Sequence, residues 1–247
     1  MRKLSPPKAI SHALNSVLTY RREAMRIGMF WIPVLIVLGL GKILVGAPDP
    51  EATEFDGPML VEIVSTAIAF VAFSSIAVSW HRFILRDEAG VPWRLDGSVL
   101  RYAGNSLLIV LMVGIPVVLM LLVTVLVPQL WFILLPLSLL CGTLITALSV
   151  KLPAVALGRT DFSFAMAWQA TKGSFWPLLG VFLLNAAIII GMYLLTLLAV
   201  SLIGTVNMMA GQFALLIADA GMALFVALFN ASVFTSLYGF FVESRDF

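Results

Sequence analysis

Charge is scarce in this chain: 13 acidic and 15 basic side chains among 247 residues, with two histidines and one cysteine. An ordinary soluble domain carries roughly 25% charged residues; here the share is 11%, while 61% of residues are hydrophobic and the mean hydropathy is +1.06. So few charges cannot cover a surface that faces water, which excludes a cytosolic enzyme, a secreted disulfide scaffold and a disordered tail. The lone Cys141 can form no intramolecular disulfide, and its neighbours Leu139, Leu140 and Gly142 mark it as a small buried hydrophobe. A net charge of +2 gives no case for nucleic acid as a partner. The chain reads as an integral membrane protein.

Long apolar runs are what the sequence has in place of charge. A bilayer core takes about 20 consecutive apolar residues as a helix, and the runs at 27–46, 58–80, 103–127, 130–150, 175–203 and 211–241 meet that length. No Asp, Glu, Lys, Arg or His occurs in the 49 residues from Tyr102 to Val150. That stretch is too long for one crossing and long enough for two, with Val127, Pro128 and Gln129 at the reversal and Trp131 at an interface. The first run begins too late for a cleavable leader, so the first span is expected to stay as an anchor. The expected fold class is all-α: a polytopic membrane protein of six spans, with residues 1–26 a cytoplasmic amphipathic segment and 27–247 one transmembrane domain.

Fourteen of the 15 basic residues fall before the first span, between even- and odd-numbered spans, or after the sixth; Lys42, inside the first span, is the exception. The opposite side carries the acidic loop 47–57, with Asp49, Glu51, Glu54 and Asp56 and no base. By the positive-inside rule both termini are expected in the cytoplasm.

Three cytoplasmic stretches carry helical patterning. Ile10, Ala13, Leu14, Val17 and Leu18 share one face of the first, which suits a helix lying in the membrane interface or one packed against the protein's own loops. In the second, Thr160 or Asp161 can cap a helix whose apolar stripe is Phe164, Ala165 and Trp168 and which Gly173 ends. The third is Leu95–Tyr102, led by Asp96. Each precedes an odd-numbered span, and the even-numbered spans end alike at Trp80–Asp87, Lys151–Asp161 and Tyr238–Asp246. Either three copies of a surface helix plus hairpin, or a shared way of leaving the membrane, accounts for this likeness.

Three ionisable residues lie within the spans: Lys42, Glu62 and Asp219. Charges there are costly and pair or face a cavity. The first hairpin brings Lys42 and Glu62 to similar depth, so an ion pair is expected, and Asp219 enters from the same side. One reading is a polar site, an ion or proton relay, open to the outside; the other is a snorkelling lysine and acids in wet mouths. Asn185, Asn207 and Asn230 suit packing between helices. Pro33, Pro116 and Pro136 interrupt spans without an ionisable companion at mid-membrane. Arg21, Arg22, Trp80, His81, Arg82, Trp168 and Lys172 are candidates for contact with lipid headgroups at the cytoplasmic interface. The histidines, His12 and His81, have no Cys or acid at ligand spacing, and no nucleotide loop, nucleophile elbow or metalloprotease helix is present. No catalytic residue, metal or cofactor is expected.

The run Lys151-Leu152-Pro153-Ala154-Val155-Ala156-Leu157-Gly158-Arg159, then Ala167-Trp168-Gln169-Ala170-Thr171-Lys172-Gly173-Ser174-Phe175-Trp176, resembles a signature of six-span inner-membrane proteins of alphaproteobacterial type. Ser79-Trp80-His81-Arg82-Phe83-Ile84-Leu85 is similar too. More distantly the chain resembles the membrane domain attached to some glycerophosphoryl diester phosphodiesterases. Ser174 stands where that pattern has Asn. Catalysis in those enzymes belongs to a separate soluble domain, so the resemblance implies an accessory membrane domain and carries no catalytic residue over. The expected function is a non-enzymatic membrane protein organising lipids or other membrane proteins. The alternative is a small-solute transporter with a polar site near its outer face. Oligomeric state and partner identity are not legible.

Overall fold

The structure is a computed structural model that describes residues 3–46 and 56–246. Asp49, Glu51 and Glu54 of the acidic loop therefore lie outside the described residues. The described residues form ten α-helices and no strand. Five helical stretches are long and apolar enough to cross a membrane, and a bent pair makes a sixth. The chain is an integral, multi-pass membrane protein.

The first span is the bent one. Helix α1 (Pro6–Thr19) is followed by α2 (Arg21–Gly28) and α3 (Trp31–Val45), and α2 and α3 meet at 48°. Pro33 has no N–H to offer the carbonyl of Met29, so the helix breaks there and restarts with proline in its first turn. Helix α4 (Gly57–Arg86) starts at Asp56, whose carboxylate accepts from the Met59 N–H, with Pro58 in the first turn. Helix α5 (Gly97–Leu126) starts at Asp96 in the same way and runs unbroken through Pro116.

The fourth span is a composite. A short 3-10 segment, Pro128–Ile133, makes the reversal; α6 (Leu134–Leu148) and α7 (Lys151–Ala156) follow. Pro136 falls in the first turn of α6, where no intrahelical donor is missed. Helix α8 (Phe164–Thr171) is capped by Ser163, which accepts from Met166 N, and neither Thr160 nor Asp161 does so. Helices α9 (Phe175–Val206) and α10 (Met208–Phe241) form the last hairpin, turned at Asn207. Its arms touch at Gly204 and Gly211, where a Cβ on Gly211 would stand 2.6 Å from the Gly204 Cα.

Of the patterned stretches, the first packs on the protein itself, one of its two expected readings, and the other two differ from the expectation. Helix α1 buries Ala9, Ile10, Ala13 and Val17 against the protein itself, chiefly α9 and α10, while Leu18 is exposed. Residues 97–102 are the first turns of α5 and make no separate surface helix. On α8 the buried residues are Ala167 and Thr171, with Phe164 half-buried; Ala165 and Trp168 point away. The three stretches are thus not structurally equivalent. The exits of the even spans are closer to one another, since Asp87, Gly158 and Ser244 each take a positive φ just past a helix end.

Two apolar clusters form the core, and both lie towards the end of the molecule that carries the chain termini and most basic residues. At the far end α5 and α9 are exposed nearly all round, with side chains such as Leu122, Val125, Leu194 and Leu195 uncovered. A helix apolar on every side is what lipid surrounds. Hydrocarbon there does the work that protein neighbours do at the basic end.

Candidate functional site

Lys42 and Glu62 meet as their spacing predicts, with Nζ 2.9 Å from Oε1. Both side chains remain close to half exposed. Asp219 does not join them. Gly39 of α3 packs on Leu216 of the antiparallel α10; Lys42 lies three residues outward of that contact and Asp219 three residues inward. At 1.5 Å per residue the two are about 9 Å apart along the axis. Asp219 is exposed and forms no ion pair among the described residues. It lies on the α10 stripe that Val226 and Asn230 continue at helical spacing.

The basic end is tied shut by the three span exits, each bonded to the next. Arg82 Nε donates to the Ala156 carbonyl at 2.8 Å, and Arg86 donates to that of Leu157. Guanidinium groups at the end of α7 satisfy carbonyls the helix leaves open and complement its negative pole. Arg159 in turn donates to the Tyr238 hydroxyl at 2.9 Å. The third exit returns to the first through Thr235, whose Oγ1 is 2.7 Å from His81 Nδ1. Glu88 lies within 4 Å of Arg82, Arg86 and Arg94.

This collar corrects the reading of Trp80, His81 and Arg82 as lipid anchors. Trp80 and His81 are fully buried, and Arg82 is largely so and committed to Ala156. An aromatic-basic trio at a span boundary looks the same in sequence whether it faces headgroups or neighbouring helices. Arg21, Arg22, Trp168 and Lys172 are exposed, as contact with headgroups requires.

His81 is the centre of a buried network. Thr235 donates its hydroxyl to the Ala231 carbonyl at 2.8 Å, so it can only accept from His81 Nδ1–H. That leaves His81 Nε2 to accept from the Tyr102 hydroxyl, 3.3 Å away. The Tyr102 oxygen then keeps a free acceptor position.

Tyr102 stands at the inner end of a groove between α4, α5, α6 and α10, with a volume of about 240 Å³. Phe70, Phe73, Ile109, Val110, Val226 and Phe234 make its walls, and no charged side chain lines it. The polar groups are Ser74, Tyr102, Ser106, Ser149 and Asn230. Ser74 bonds to the Phe70 carbonyl, and Asn230 Oδ1 accepts from Asn185 Nδ2 at 2.9 Å. The Ser106 and Ser149 hydroxyls and the Asn230 amide nitrogen have no partner among the described residues. Phe70 and Val110 are shared with a second crevice that runs between α4 and α5 to Ile63 and Glu62. Ile63, Leu107 and Val110 are each about half exposed on that side, so the groove opens laterally at the level of the apolar spans. Composition showed none of this, because the lining comes from four separated segments. The signal was a set of small polar residues on otherwise apolar faces.

A second cavity of about 300 Å³ lies below the collar, between α1 and the ends of α4 and α10. His12, Ser236, Asp87 and Arg245 line it, and His12 Nδ1 is 3.0 Å from Ser236 Oγ. Burial lowers the His12 pKa. The Arg159 side chain holds the Asp161 carboxyl below its ordinary range, and hydrogen bonds to Asp161 and Tyr238 push Arg159 up. At Asp96 burial acts upward, but hydrogen bonds from Ser98 and the charge of Arg94 outweigh it and the pKa falls. No group of His, Cys, Asp and Glu that could hold a metal occurs among the described residues.

No family model matches this chain. Neither a curated protein nor a solved structure matches it.

Proposed function

We propose that this is a non-enzymatic inner-membrane protein that works by holding lipid, with its basic end and both termini in the cytoplasm. The positive-inside distribution supports the orientation. The observation that carries the function is the groove: apolar, uncharged, closed at the basic end by the collar, and open sideways between α4 and α5. A path for a hydrated solute needs a way out at both ends, and the collar closes this groove at its inner end. Exposed Arg21, Arg22, Trp168 and Lys172 supply headgroup contacts at the cytoplasmic face, where basic residues attract anionic lipid. The resemblance to the membrane domain of glycerophosphoryl diester phosphodiesterases fits an accessory role of this kind.

The transporter reading is favoured by one feature, the exposed Asp219 on the groove-side stripe of α10. Two measurements separate the readings. Native mass spectrometry of protein purified in mild detergent is expected to show retained lipid at fixed stoichiometry. A cysteine at Val226, in a Cys141→Ala background, is expected to resist membrane-impermeant thiol reagents. Rapid labelling at Val226 together with a lipid-free protein would replace lipid holding with transport.

A further inference from the structure

We infer that the groove takes an uncharged lipid with a single long tail and a small hydroxyl or carbonyl head, the head lying against Ser106, Ser149 and Asn230. This rests on the lipid-holding reading above and specifies the lipid class. Three observations carry it.

The first is the donor set. Two hydroxyls and one amide N–H pair at the inner end lack partners among the described residues, and all three are neutral. These donors face an apolar groove that offers them no acceptor, so an occupant presenting oxygen acceptors is favoured. Tyr102, whose proton is directed to His81, adds an acceptor for a ligand hydroxyl.

The second is charge. The chamber of about 240 Å³ is lined by no charged side chain. An ionised head would be stripped of water where no opposite charge awaits it.

The third is reach. Inner chamber and side crevice abut at Phe70 and Val110, and their combined lining runs from Ala77 to Glu62 along α4. Fifteen residues of helix make about 22 Å, more than half of the ~30 Å hydrocarbon thickness. A tail lying there extends past a single leaflet, which suits long-chain and isoprenoid tails over short ones.

The test uses the full chain in nanodiscs of zwitterionic lipid with a diazirine-bearing hexadecanol as photoprobe. Labelling is expected on α4 and α5 between residues 63 and 110. Ser106→Val and Ser149→Ala are each expected to raise the half-labelling concentration about tenfold without lowering the melting temperature by more than a few degrees. Val110→Trp, which fills the channel and leaves the donors intact, is expected to abolish labelling. Geranylgeraniol and an isoprenoid quinone as competitors distinguish an alcohol head from a ketone head, and competition by either supports the assignment. Phosphatidylglycerol competing as well as geranylgeraniol would overturn the uncharged head while leaving lipid holding intact. Absence of specific labelling, combined with water access at Val226→Cys, would overturn both.

Discussion

His81→Leu tests whether the collar is a connected unit. The substitution keeps an apolar side chain of similar bulk in a fully buried position but removes both ring nitrogens. Thr235 loses little, because its hydroxyl still donates to the Ala231 carbonyl. Tyr102 loses more: its hydroxyl is buried and has no acceptor but His81 among the described residues. An orphaned buried donor costs about 1–3 kcal/mol, and the lost bond to Thr235 adds about 0.5–1.5 kcal/mol. The expected destabilisation is therefore about 1.5–4.5 kcal/mol, read from detergent-solubilised protein by reversible unfolding. Tyr102→Phe alone removes the donor and is expected to cost about 1 kcal/mol. In the double variant no orphan remains, so its cost should fall below the sum of the singles by about 1–2 kcal/mol. Strict additivity in that cycle would show that His81 and Tyr102 do not interact, and the reasoning about the collar would fail.

Other consequences are as direct. Lys42→Glu places two acids together near a membrane face and is expected to lower thermal stability; adding Glu62→Lys restores the pair, and a double variant no better than the single would refute it. Gly211→Ala drives a methyl into the backbone at Gly204 and should cost about 1–3 kcal/mol, whereas Gly204→Ala meets only an ordinary contact of 4.0 Å and should be tolerated. Asp96 has a folded pKa below its ordinary 3.8, so it binds protons less readily folded than unfolded. Its contribution is present above that ordinary value and is lost as pH falls through the lowered one. Asp96→Asn should therefore behave like the parent at the acid extreme and be slightly less stable at neutral pH, as followed by melting temperature.

The layout of spans was legible because hydrocarbon imposes a length and a composition that little else in the chain imitates. Boundaries were less so. The run at 58–80 stops where charges begin, yet α4 continues to Arg86, because Arg82 and Arg86 find carbonyls on α7 and need not face water. The break at Met29–Phe30 was foreshadowed by Pro33, but its angle depends on how α2 packs against α4. Within the site, Lys42 and Glu62 could be paired from sequence since one hairpin joins them. His81 could not be paired, because its partners lie 21 and 154 residues away and both are common residues on apolar faces. The groove was illegible for the same reason: adjacency of four helices is a product of packing.

Hydroxyl groups within the spans show what packing demands of them. Ser74, Thr143, Thr146, Thr235 and Ser236 each donate to the carbonyl four residues back on their own helix. With no water in the bilayer core, a hydroxyl satisfied by its own backbone can face another helix without a partner there, and its small size lets the helices close up. Gly142 against Phe182, and Gly28 against Leu224, serve the same close approach at the basic end. Ser106 and Ser149 do not follow this pattern, and both line the groove. On the lipid-holding proposal, an occupant with oxygen acceptors gives these two open donors the partners that the helices do not.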